Sequence, residues 1–403
     1  MVREKLAIKG GMPVRQEPFP SWPIWDENEE KQLLEVLHSG DWGVLSGSKV
    51  HAFERAFADY QQARHGICVV NGTAALEVAL RAVGVGPGDE VITTPYTFVA
   101  TINGILMLGA VPILVDIDPE TFLIDARQIE GAITERTKAI LPVHIAGQPA
   151  DMDAILAIAE RHGLRVVEDA CQAWGAEWRG QRVGALGDLG TFSFQASKNI
   201  TAGEGGIIVT NDDQLADMCW SLHNVGRRKG GLWYEHVRTG WNYRLTEWQG
   251  AILLAQMTRL DELSQRRHQS ALRLAEQLRL IPGISPLTVD PRVTRHAWHI
   301  YVFRYQPEAF GGLPRDAFVE ALQAEGIPCS PGYVPLTRSP ALHDGLDRLR
   351  VFFTEVPAVR PCPVAEQMST QEAVWLPQNL LLGGEQEIAD IATAISKIQR
   401  CGR

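Results

Sequence analysis

Between residues 65 and 210 short apolar runs alternate with longer segments whose apolar positions recur at helical spacing. The runs are HGICVV (65–70), EVITTP (90–95), VPILVDI (111–117), AILPVHI (139–145), LRVVEDA (164–170) and GGIIVT (205–210). Strand-length runs separated by helical patterns predict a parallel sheet with helices on both faces. One of those helices is legible in AALEVALRAVGV, where Leu76, Ala79, Leu80 and Val83 keep helical spacing and Gly84 and Gly88 bracket the stop. In such a sheet each strand's carboxyl end feeds a loop where ligands bind. After about residue 255 the pattern changes to one long charged helix, MTRLDELSQRRHQSALRLAEQLRLI, and then to shorter mixed segments around Pro282, Pro286 and Pro291. The expected division is a large domain over 1–255, with an N-terminal arm, and a smaller C-terminal α/β domain over 256–403. No internal repeat or low-complexity segment interrupts either part.

Composition narrows the class. A chain of 403 residues at 45% hydrophobic content can bury one large core, or a large and a small one, without crosslinks. The net charge of -10 is spread without acidic or basic blocks, which speaks against nucleic acid or an anionic membrane surface as partner. Six cysteines, with no CxxC pair and no metal-ligand spacing to histidine, read as reduced, packed thiols, and no metal is expected. The N-terminus MVREKLAIKGGMPVR has no apolar signal core, and no window approaches a membrane helix. A cytoplasmic protein acting on small molecules is the expectation.

Three local features suggest chemistry, each with an ordinary structural alternative. In VVNGTAALEVAL, Asn71, Gly72 and Thr73 sit between a strand and a helix start. Free backbone amides and the helix dipole make such a turn an anion site, and Gly72 lets an oxyanion approach closely. A helix capped by Thr73 would use the same residues. In VVEDACQAWGA, Glu168 and Asp169 end a run that should be a buried strand. A carboxylate there needs a cation or a strong donor, and a protonated ring nitrogen would serve, as would a role capping the next turn. In FSFQASKNITAGEGG, Lys198 follows an apolar strand and Ser193, and precedes Gly203, Gly205 and Gly206. A buried lysine can have its pKa lowered until its amine is nucleophilic and forms a Schiff base, whereas a lone lysine beside a turn is ordinarily solvated. The three together supply a phosphate clamp, a pyridine-nitrogen partner and an aldehyde anchor, the parts that hold pyridoxal phosphate.

On these segments the chain resembles the DegT/DnrJ/StrS family of pyridoxal-phosphate aminotransferases of nucleotide-sugar and aminocyclitol biosynthesis, within the fold-type I (aspartate aminotransferase) class. The resemblance is carried by NGTAALEVALRAVGVGPGDEVITTPYTFVATINGILMLGAVPILVDIDPETFLID, VEDACQAWGAEWRGQRVGALGDLGTFSFQASKNITAGEGGIIVTND and GWNYRLTEWQGAIL, and runs from about residue 39 nearly to the C-terminus. It implies that Lys198 is the Schiff-base lysine and the base that moves the substrate proton, and that Asp169 pairs with the pyridine nitrogen. It also implies that Phe98 stacks on the ring, a place where a core phenylalanine would look the same in sequence. Gly72, Thr73 and Ser193 match phosphate-binding positions, and Gln172 the position near the phenolic oxygen. Asn242 matches the asparagine that reaches the phosphate from a neighbouring subunit, so a homodimer with shared active sites is implied.

The implied reaction moves an amino group from glutamine or glutamate to a ketone. Gln195 and Ala196 stand where many sugar members carry His or Phe followed by Pro. The FSFQ form, FGGLPRDAFVEALQAEGIPC with GYVPLT after it, and VWLPQNLLL are similar to the scyllo-inosose aminotransferases and in part to the aminohydroxybenzoate synthases. A keto-cyclitol or keto-sugar acceptor is therefore expected, with Gln195, Tyr333 and Trp42 as substrate residues. FPSWPIWDE and SGDWGVLSG either cover the substrate or pack as an apolar arm on the dimer. The alternatives are a nucleotide-linked keto-sugar aminotransferase, an enzyme like 3-amino-5-hydroxybenzoate synthase, and a non-enzymatic pyridoxal-phosphate-binding regulator. Arg227, Arg228 and Lys229 read as a solvated turn. Lys198 argues against a dehydratase relative, and the lack of a basic helix-turn-helix argues against the regulator.

Overall fold

In the computed structural model, residues 5–402 are described; residues 1–4 and 403, the outermost ends of the two expected domains, lie outside the described residues. The strands, in chain order, are β1 His65–Val69, β2 Glu90–Thr93, β3 Val111–Leu114, β4 Thr137–Ile140, β5 Arg165–Asp169, β6 Glu177–Trp178, β7 Gln181–Arg182, β8 Leu189–Ser193, β9 Gly206–Thr210, β10 Ile284–Pro286, β11 Val293–Arg295, β12 Ile300–Tyr305 and β13 Ala373–Pro377. A seven-stranded sheet has the order β1-β9-β8-β5-β4-β2-β3. Its pairs from β8 through β5, β4 and β2 to β3 are parallel. The run GGIIVT departs from the expected parallel pattern: β9 is antiparallel to both β8 and β1. The reason is its connection, since a loop over 194–205 without a crossover helix can only return the chain in the opposite direction.

Two apolar layers cover this sheet. Alternate residues of the strands divide between them, as with Val166, Phe192 and Ile207 on one side and Val167, Leu189 and Ile208 on the other. The helix Gly72–Ala82 packs on the second side. Several predicted strands are shorter than their apolar runs. VPILVDI leaves the ladder at Leu114, and Asp116 beyond it accepts amides from Ile117, Val364 and Ala365. AILPVHI leaves it at Ile140, before Pro142, which has no N–H to give.

The charged segment after residue 255 forms one helix, Leu260–Leu278, separated by a break at 258–259 from the preceding helix Glu247–Met257. At the break Arg259 pairs with Asp26 and Glu29, fastening the N-terminal arm. A second sheet, β10-β12-β13, is antiparallel and packs with the helices around it on a separate core that includes Leu274, Phe303, Phe318 and Ile391. A ribbon of β11, β6 and β7 completes the strand set.

Candidate active site

Because β9 reverses twice over, β1, β8 and β5 all point the same way, and their carboxyl ends meet at one edge of the sheet. Ser193 and Val69 both pair with Gly206, which aligns the ends of β1 and β8. Gly206 has to be a glycine: a Cβ there would lie 2.5 Å from the Asn71 backbone. The helix Gly72–Ala82 starts from this row. Its cap is Asn71, whose Oδ1 accepts from Ala74 N at 2.8 Å, and not Thr73, which lies inside the first turn. With the cap supplied by Asn71, the amides of Gly72 and Thr73 precede any intrahelical acceptor and Thr73 is free to face the cleft it lines. A Cβ on Gly72 would fall 2.8 Å from Ser193 Cβ and 3.1 Å from Cys171 Sγ, so glycine keeps open the space between the helix start and β8.

Glu168 and Asp169, adjacent on β5, project to opposite faces as strand geometry requires. Glu168 is fully buried, and accepts from Gly184 N at 2.7 Å, Leu186 N at 2.9 Å, Gly187 N at 2.7 Å and His144 Nε2 at 2.9 Å. All its capacity is spent on the fold. Asp169, 5% exposed, accepts from Thr101 Oγ1 at 2.8 Å and from Cys171 N at 3.2 Å, and lines the cleft. Thr101 is in turn 2.9 Å from Thr97 Oγ1. Asp169 is thus fixed in orientation while retaining lone pairs for a donor in the cleft.

That cleft, of about 1190 Å³, brings together Gly72, Thr73, Phe98, Asp169, Gln172, Ser193, Gln195, Lys198 and Tyr333. Lys198 Nζ has no hydrogen-bond or ion-pair partner among the described residues and stands 5.8 Å from the centroid of the Trp174 ring. Burial lowers its pKa, and the Asp169 charge opposes that in part. Cys171 beside it has its thiol pushed up by burial and by Asp169, and so stays protonated at neutral pH. Gln172 is held at both ends, accepting from Ala146 N at 2.7 Å and donating to Tyr333 Oη at 3.1 Å. Gln195 Oε1 accepts from Ser197 N and Ser197 Oγ, both at 2.8 Å, which turns its amide nitrogen outward. Phe98 is 53% exposed and 6.1 Å from Tyr333, so its place is on the cleft wall and not in the core.

Two expected residues are not in the cleft. Asn242 is exposed, paired through its backbone with Asn224. Trp42 packs on Trp248 at 5.5 Å with half its surface exposed. Instead the arm segment contributes Trp22, whose indole N–H donates to Ala196 O at 3.1 Å. Thr97, Thr101 and His299 also line the cleft without a local sequence mark, as do Gln378 and Asn379 of the segment VWLPQNLLL. His299 is held neutral by burial and by the charges of Lys198 and Arg267. In the turn over 227–229, Arg228 and Lys229 are exposed and ion-paired, to Glu235 and Asp217, while Arg227 is half-buried. Among the described residues no cluster of His, Cys, Asp and Glu could hold a metal ion, and no helix is long and apolar enough to cross a membrane.

The residues present fit pyridoxal phosphate: an unpaired amine, an anchored carboxylate across from it, and a helix start held open by glycine for an anion. A mostly parallel sheet with these groups at its carboxyl edge is the architecture of the fold-type I aminotransferases. The chain belongs to the DegT/DnrJ/EryC1/StrS aminotransferase family, whose pattern matches residues 23–396. It is 43% identical to a putative L-glutamine:3-amino-2,3-dideoxy-scyllo-inosose aminotransferase of Streptoalloteichus tenebrarius, over 98% of each chain. The structure of 3-amino-5-hydroxybenzoic acid synthase superposes with a TM-score of 0.88 at 36% identity, covering 95% of this chain and 99% of that one. NtdA of Bacillus subtilis, solved with the cofactor PMP bound, superposes with a TM-score of 0.82 at 29% identity, covering 96% and 87%.

Proposed function

We propose that this chain is a pyridoxal-phosphate aminotransferase that passes an amino group from glutamine or glutamate to a keto-cyclitol of the scyllo-inosose type. The observation that carries the proposal is the unpartnered amine of Lys198 in one cleft with the doubly anchored Asp169. Pyridoxal 5'-phosphate, when bound, supplies an aldehyde and an electron-accepting ring through which nitrogen passes from one substrate to the other. Asp169 holds a proton on the ring nitrogen. Lys198 Nζ anchors the cofactor, then takes and returns the proton at the substrate carbon that bears nitrogen. It acts as a base only when neutral, and its burial favours that form. The Gly72 and Thr73 amides and Ser193 Oγ would hold the phosphate, Phe98 would pack against the ring, and Gln172, fixed by Ala146 and Tyr333, would serve its phenolic oxygen. Asn242, exposed and outside its own cleft, serves the phosphate of a neighbouring subunit, so the working form is a homodimer, placed in the cytoplasm. The division near residue 255 separates the cofactor-binding part from a smaller C-terminal part.

The cyclitol reading is supported by the named relative and by cleft walls of amides, hydroxyls and indoles. The superposition on 3-amino-5-hydroxybenzoic acid synthase favours that chemistry as the second reading. A panel of keto-cyclitols and nucleotide-linked keto-sugars, each assayed with glutamine and with glutamate, separates them. Turnover of cyclitols that disappears in Lys198→Ala, together with the visible band of the lysine-bound cofactor, is the expected result. Retained turnover in that variant overturns the mechanism.

A further inference from the structure

Arg267, on the helix Leu260–Leu278, is fully buried and has no carboxylate partner among the described residues. Its Nε donates to Gln378 Oε1 at 2.8 Å, its guanidinium lies 5.1 Å from the Trp22 ring centroid, and both Nη atoms lack hydrogen-bond partners. Burial pushes its pKa down to about 9, which leaves it cationic at neutral pH. A buried cation without a counterion is costly, and proteins that keep one ordinarily use it. The two side chains in contact with its guanidinium group, Gln378 and Trp22, both line the cleft.

Arginine donates hydrogen bonds and accepts none. Gln378 must therefore turn its oxygen to Arg267 and its amide nitrogen toward the cleft, with a positive charge directly behind it. Chance rotation cannot reverse this, because an NH2 group against the guanidinium would set donor on donor. The cleft is thereby given a fixed, polarised donor that matches a carboxylate oxygen. An amino-acid donor carries an α-carboxylate, whereas a keto-cyclitol carries none.

Resting on the aminotransferase reading above, we propose that Gln378, oriented by Arg267, recognises the carboxylate of the amino donor, with Arg267 as its positioning residue. The test is Gln378→Glu, which gives Arg267 the counterion it lacks while removing the cleft-facing N–H donor. The thermal midpoint is expected to hold or rise. The KM for glutamine is expected to rise about tenfold, the equivalent of one strong hydrogen bond, with a much smaller change in the KM for the ketone. Arg267→Met, which frees Gln378 to rotate, is expected to raise the glutamine KM several-fold, and Arg267→Lys to recover part of it. Calorimetric titration of the holoenzyme with glutarate, which has no amine to transfer, is expected to show the same loss of affinity. A folded Gln378→Glu protein with unchanged glutamine KM and glutarate affinity, or with an equal rise in the ketone KM, overturns the proposal. If no ketone on the panel is aminated, the functional proposal fails on its own, and the glutarate titration still decides this one.

Discussion

Replacing Glu168 by Gln and Asp169 by Asn tests whether two neighbouring carboxylates have opposite jobs. Glu168 faces four donors, and His144 cannot change sides, because its Nδ1 already accepts from Ala150 N at 3.0 Å and its Nε2 must carry the proton. However a glutamine amide turns, its NH2 meets two of those donors, either His144 Nε2 with Gly184 N or Leu186 N with Gly187 N. Two buried donors left unpaired at about 1–3 kcal/mol each cost roughly 4 kcal/mol. Spread over an unfolding entropy of about 2.1 cal/mol/K per residue, that lowers the midpoint of a chain this long by roughly 5 °C. Asp169→Asn is different. Its oxygen can keep Cys171 N, and its NH2 can donate to Thr101, whose hydroxyl reverses and donates to Thr97. The stability cost is below about 1 kcal/mol, the scale of a rearranged hydrogen bond. Turnover, however, falls by about 10² or more, as when a preorganised charge is removed from an active site. Circular dichroism melts of the cofactor-free proteins, which avoid stabilisation by ligand, and steady-state rates of the loaded ones give the comparison. A Glu168→Gln protein that melts like the parent, or an Asp169→Asn protein that loses as much stability as its neighbour, would refute the division of roles.

Gly72→Ala closes the space in front of Ser193, so cofactor affinity measured by fluorescence titration should fall about tenfold, with a change in melting temperature of a few degrees at most. Burial lowers the Lys198 pKa, so kcat/KM for the ketone, which meets the enzyme with Lys198 as a free amine, should rise with pH through an acid limb placed below that of an exposed lysine. Asp169→Asn removes a charge that raises the same pKa, and in cofactor-free protein the rate of Lys198 acylation by an amine reagent should then begin to rise at lower pH. The stability sign follows: the unfolded chain keeps this proton to higher pH than the folded one, so Lys198 costs stability at low pH, and the cost fades as pH climbs from the folded toward the unfolded pKa. If Asn242 completes the partner's site, mixing inactive Lys198→Ala and Asn242→Ala subunits should restore about a quarter of the parent activity, since half the dimers are mixed and each carries one intact site. No recovery after subunit exchange is demonstrated would place Asn242 elsewhere.

The strand starts and the sheet's two covered faces were legible because buried strands need apolar runs whatever their neighbours. Direction was not: GGIIVT reads like any inner strand, and only the helix-free loop before it shows that β9 must return. Strand ends fall short of the apolar runs at Leu114 and Ile140, past which the chain makes only isolated bridges, Ile117 with Ile124 and Val143 with Asp169. In the site, Asp169 and Ser193 end strands and Gly72 and Lys198 follow soon after strand ends, where the backbone's change of direction leaves a local signature. Thr101 and His299 sit in ordinary surroundings and reach the cleft only through long-range packing, while Gln378 lies in VWLPQNLLL, a segment that carries the resemblance without a chemical signature of its own. The same logic explains why Glu168 and Asp169 look alike in sequence. One residue of register separates a carboxylate consumed by four donors of the fold from one held by two and left open to the cleft. Burial alone did not distinguish them, since both are nearly inaccessible. The count of donors already satisfied did, and the converse count, of donors left unsatisfied, sets Arg267 apart as a buried cation whose one side-chain hydrogen bond goes to Gln378 on the cleft wall.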